Sequence, residues 1–145
     1  MARDDLTRIA QEFLEAFNDN ETDRVAGMLR PDSQYEDLAA AWKAGDRDRV
    51  MGWLGRLMQD AGGLRGTVDN WVIDDTRNVA SGHVVWRQPG QDGDIVMPGF
   101  IELAISDAGH VARIRDLHIV PLKGHFCPCV PGLPKGRPEV VLPPQ

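Results

Sequence analysis

Apolar residues recur at helical spacing through the first part of the chain and, from residue 64 onward, at every second position. Leu6, Ile9, Phe13 and Phe17, with Ala10 in the same stripe, predict a first helix that Asp4 or Asp5 can cap. Asn20 offers an N-cap for a short second helix with Val25, Met28 and Leu29 on its apolar side. Pro31 breaks that helix, and "RPDSQYEDL" reads as a short strand or a loop. In "GDRDRVMGWLGRLMQDAGG", Val50, Trp53, Leu54, Leu57 and Met58 form one stripe of a third helix, which Asp46 can cap and Gly62-Gly63 ends.

The period-two segments "LRGTVDNWVID", "NVASGHVVW", "IVMPGFIELAIS" and "HVARIRDLHIV" predict four strands joined by short turns, an antiparallel meander. Helices followed by a run of strands point to an α+β domain over residues 1–122. Residues 123–145 contain Pro128, Pro131, Pro134, Pro138, Pro143 and Pro144, a density that prevents regular structure. They form either a disordered extension or an extended arm laid over a surface.

Charge narrows the partners. A net charge of −6 with no basic tract argues against nucleic acid and against an anionic membrane surface. The N-terminus lacks a long apolar run, so neither a signal peptide nor a membrane span is expected and a cytoplasmic location is the default. Cys127 and Cys129 are too few and too close for a disulfide framework. With His125 they fall one ligand short of a structural zinc site, and their one-residue gap is shorter than the two to four residues usual there, so no metal is expected.

The closing strand poses the chemical question. Alternation puts Asp116 and His118 on one face with Ala112, Ile114 and Val120. Either Asp116 pairs with Arg113 or Arg115, or both groups line an apolar cavity, where a carboxylate serves as a base with imidazole as its donor partner. The preceding strand supplies a lining for such a cavity, since Met97, Gly99, Ile101, Leu103 and Ile105 make one wholly apolar face. Tyr35 and Asp37 share a face of "SQYEDL". His83 shares one with Ser81, Val85 and Arg87, and the period does not say whether it points inward. Phosphate loops, nucleophile elbows and HExxH motifs are absent from the sequence.

The segments "AQEFLEAFNDNETDRVAGMLRPDSQYEDL", "GDRDRVMGWL" and "GHVARIRDLHIV" make residues 5 to 121 similar to the nuclear-transport-factor-like cone fold. Within that fold the chain resembles SnoaL-like polyketide cyclases and limonene epoxide hydrolase. The resemblance implies three helices across a curved, mostly antiparallel sheet and a cyclase or isomerase acting on an apolar carbonyl compound without cofactor or metal. Asp116 would then be the base, with His118 or His83 as donor. In the epoxide hydrolase a tyrosine, an asparagine and an aspartate hold the attacking water. They match Tyr35, Asp37 (a changed residue) and Asp116. Its Arg-x-Asp pair falls on His83 and Val85, so the acid is missing unless His83 replaces it. Many proteins of this fold only bind ligands, a third reading. The candidate substrate contacts are Trp53, Val85, Arg87, Met97, Ile101 and Leu103. A homodimer is expected through an apolar outer sheet face carrying Trp86, Phe100 and Leu117.

Overall fold

The computed structural model describes residues 1–39, 41–59, 63–90 and 93–118. Val120, the His125–Cys129 motif and the proline-rich arm lie outside the described residues, as does the side chain of His118. The helices are α1 (Arg3–Asn18), α2 (Thr22–Met28) and α3 (Arg47–Gln59). The strands are β1 (Leu29–Asp37), β2 (Trp42–Gly45), β3 (Arg65–Val68), β4 (Val72–Asp74), β5 (Val79–Gln88), β6 (Ile95–Ile105) and β7 (Val111–His118).

Both long helices bury the stripes their spacing predicts. Leu6, Ile9, Ala10, Phe13 and Phe17 of α1 and Val50, Trp53, Leu54, Leu57 and Met58 of α3 join one core with the inner face of the sheet. The caps differ in detail. Helix α1 starts after Ala2, leaving Asp4 and Asp5 inside its first turn, where carboxylates favour the positive end of the helix dipole without capping it. Glu21, not Asn20, precedes α2, and Asn20 instead takes a left-handed φ of 57° in the turn. Asp46 caps α3 as expected, its Oδ1 accepting the Arg49 N–H at 3.0 Å.

The sheet runs β2-β1-β7-β6-β5-β3, with β4 also paired to β5. The meander β5-β6-β7 is antiparallel, as its turns require, but β7 lies parallel to β1, so the sheet is mixed. The "RPDSQYEDL" segment is a full strand. Pro31 is tolerated because the β1–β7 register shifts between Leu29 and Gln34, where a ladder N–H is not needed. Ser33 stitches that irregularity, donating to the Val111 carbonyl at 2.7 Å and accepting the Arg30 N–H at 2.8 Å. The edge strand β2 is additional to the predicted strands, and "LRGTVDNWVID" divides into β3 and β4.

The outer face of β2, β1, β7 and β6 is charged rather than apolar. Lys43, Glu36, Arg115, Glu102 and Arg113 form a chain of ion pairs at 3.4, 2.8, 3.3 and 3.4 Å. Phe100 and Leu117 do lie on this face, but Trp86 points into the core at 7% exposure. The assignment of Trp86 to a dimer face is therefore corrected. Among the described residues no helix is long and apolar enough to cross a membrane.

Candidate active site

The parallel register pairs Tyr35 with Ile114 and Asp37 with Asp116. Alternation then puts these four side chains on the helix-facing side, while Glu36 and Arg115 face outward. Tyr35 donates its hydroxyl to Asp116 Oδ2 at 3.1 Å, and the Trp86 indole N–H reaches Asp116 Oδ1 at 3.4 Å. Both donors are uncharged. Burial, followed by the Asp116 charge and the weaker field of Asp37, pushes the Tyr35 pKa well above its ordinary value of 10.0. The Trp53 indole opposes this shift, so Tyr35 is a neutral hydroxyl that donates.

Trp86 is held in place from two sides. Phe17 meets it edge-on at 5.6 Å between ring centroids. Gly66 lies beneath its ring so closely that an added Cβ would come within 2.5 Å of it. Asn18, the last residue of α1, fastens Gly66 through two amide–backbone hydrogen bonds of 2.8 Å. The end of the helix thereby fixes the wall that orients Trp86.

These groups border a cavity of about 40 Å³ between the helices and the sheet. Phe13, Phe17, Trp53 and Leu57 close it from the helices, and Met97, Ile101 and Ile114 from the strands. Asp116 is the carboxylate on its wall. The volume suffices for about three waters.

A profile of the SnoaL-like domain matches residues 10–119. The chain belongs to the SnoaL-like family. No curated protein matches it significantly. Among solved structures, AusH from Aspergillus nidulans aligns with a TM-score of 0.72 at 15% identity, covering 89% of this chain and 99% of that one. A candidate ketosteroid isomerase from Kribbella flavida DSM 17836 gives 0.68 at 18% identity, covering 98% and 91%. A candidate SnoaL-like polyketide cyclase from Shewanella denitrificans OS-217 gives 0.66 at 17%, covering 79% and 90%. At these identities the structural likeness concerns the fold, the SnoaL-like cone of helices on a curved sheet.

Within this SnoaL-like domain, Tyr35, Asp116, Trp53, Met97 and Ile101 converge on the cavity. Asp37 is buried beside Asp116 at 2% exposure, off the cavity wall, and Leu103 lies in the core on the same sheet face. His83, Val85 and Arg87 do not reach the cavity. Gly82, Val84 and Trp86 occupy the inward positions of β5, so alternation turns His83, Val85 and Arg87 outward. There His83 is exposed beside Phe100, and Arg87 stands opposite Arg65. The backbone of His118 pairs with Gly99. The site residue that sequence reasoning misses is Trp86, which it places on the outer face. Its signal was present, because Ala80, Gly82, Val84 and Trp86 make a face whose one polar group is the indole N–H.

Proposed function

We propose that this SnoaL-like protein is an isomerase or cyclase that moves a proton next to a carbonyl group of an apolar substrate, with Asp116 as general base. One observation carries the reading: a carboxylate lies on an otherwise apolar cavity wall, oriented by the neutral donors Tyr35 and Trp86. Hydrogen bonds from Tyr35 and Trp86 fix its direction, and a positioned carboxylate is a competent base. Epoxide opening is less well supported, because the positions that would carry its acid, His83 and Val85, face outward. The cavity as it stands has room for water-sized groups only, and a ring-sized or larger carbonyl substrate requires α1 and α3 to part. Dimerisation through the outer face around Phe100 and Leu117 belongs to the same proposal, and light scattering at micromolar protein checks it.

The test is deuterium exchange. Small ketones incubated with the protein in heavy water should lose the protons next to their carbonyl, as followed by NMR. Asp116→Asn keeps the side-chain shape and should slow that exchange by about 10²–10⁴-fold. Ketones that bind but exchange no faster than in buffer would establish a binding protein instead.

A further inference from the structure

Three residues of the cavity wall, Tyr35, Trp53 and Trp86, carry a polar hydrogen, and two of these donors have a partner. The Tyr35 hydroxyl and the Trp86 N–H both donate to Asp116. The third, the Trp53 indole N–H, is buried with no hydrogen-bond partner among the described residues. It lies near enough to the Tyr35 oxygen to oppose the rise of that hydroxyl's pKa, but not in hydrogen-bonding geometry. Trp53 itself is 3% exposed and forms part of the cavity wall. A buried donor without an acceptor is disfavoured, so such groups are rare in folded proteins and invite an explanation.

Its orientation is fixed. Trp42 packs on Trp53 at 5.0 Å and 50°, and Tyr35 at 5.9 Å and 58°. Tyr35 therefore touches both the unpartnered donor and, through its hydroxyl, the carboxylate. We infer that the Trp53 N–H is the site's oxygen-binding donor, which holds the substrate carbonyl and receives the charge that develops on it. This rests on the proton-transfer reading for its catalytic part. The C–H bond breaks and its proton passes to Asp116. The C–H electron pair becomes the enolate double bond, and the carbonyl π pair moves onto the oxygen facing Trp53. Where a double bond of the substrate is conjugated with the enolate, Asp116 then returns the proton to the far carbon of that dienolate, giving an isomer with the double bond moved into conjugation with the restored carbonyl. Alternatively the enolate carbon attacks a second carbonyl and Asp116 protonates the new alkoxide, giving a ring. A donor fixed before the charge appears is the arrangement that lowers such a barrier.

The donor can be tested without turnover, using cyclohexanone and its isostere methylenecyclohexane. Cyclohexanone only accepts hydrogen bonds, so Asp116 gives it no advantage. In ¹H–¹⁵N spectra, with Trp53→Phe assigning the peak, cyclohexanone should move the Trp53 indole resonance downfield and methylenecyclohexane should not. Trp53→Phe should reduce the preference for the ketone roughly tenfold. It should also slow exchange next to the carbonyl by on the order of 10²-fold. An indole resonance that the bound ketone leaves unmoved would overturn the inference, as would a full ketone preference in Trp53→Phe. A protein that passes these binding tests yet exchanges no protons, in wild type or variant, would instead overturn the proton-transfer reading and leave the donor standing.

Discussion

Arg115 and Asp116 are neighbours on β7, and the environments they enter are opposites. On the outer face Arg115 meets Glu36 at 2.8 Å and Glu102 at 3.3 Å, each charge answered by one of the other sign. On the inner face Asp116 is oriented by the hydroxyl of Tyr35 and the indole of Trp86. A guanidinium locks a carboxylate into a charge-assisted pair, whereas the hydroxyl and the indole orient theirs without carrying a charge. One face of the same strands carries a ladder of ion pairs, and the other a buried carboxylate on a cavity wall.

The strongest way to break this contrast is on β5, where Trp86 and Arg87 stand on the two faces. Trp86→Ala removes a cavity wall and a donor to Asp116 and should cost about 3–5 kcal/mol. Arg87→Ala, one residue on and exposed, should stay within about 0.5 kcal/mol in the same denaturant titration. Next comes the outer ladder. Arg115→Ala leaves Glu36 and Glu102, whose side chains are 12% and 22% exposed, without their shared cation. The cost should be about 1–2 kcal/mol, between that of a surface pair and that of a buried one.

Two pH experiments sharpen the comparison further. Tyr35 is the sole tyrosine, so tyrosinate absorbance reports this residue alone. It should titrate well above 10.0 in the folded protein and near that value once denatured. Because the folded state keeps the proton longer, stability should be undiminished below pH 10.0 and fall as pH rises beyond it, a loss Tyr35→Phe should reduce. Glu36 moves the other way. Burial alone would raise its pKa, but Arg115, with help from Lys43, brings it below the ordinary 4.5. Its contribution is present above pH 4.5 and disappears as pH falls through the lowered value. Glu36→Gln should therefore be less stable than wild type at neutral pH, and the difference should close in acid, the smallest of these effects.

Much of this architecture is legible in the sequence because burial imposes a period. The stripes of α1 and α3 and the alternation of β6 and β7 predict their buried faces, and Asp116 is found that way. Strand β1 is only half legible, since Pro31 and the outward Gln34 and Glu36 hide the buried Ser33, Tyr35 and Asp37. Strand β2 is a short edge hairpin with too few residues to show a period. The orientation of β5 is the costly error. His83 and Trp86 exchange faces relative to expectation because small residues such as Gly82 carry no burial signal. Gly66 opposite Trp86 is what makes room for the indole. The unpartnered Trp53 N–H is legible only in three dimensions, because an orphan donor is defined by what fails to surround it.

Tyr35 and Asp116 are 81 residues apart in the chain, yet they meet on adjacent parallel strands. Their meeting fixes the order of events during synthesis. The helices and β1 leave the ribosome long before β7 does, and until β7 arrives β1 has no neighbour on its inner edge and the cavity no carboxylate. Contacts of such sequence separation carry a high closure entropy and form late. The same placement makes the site dependent on the last strand: a chain truncated before β7 loses the strand that joins β1 to β6, and with it the carboxylate of the cavity.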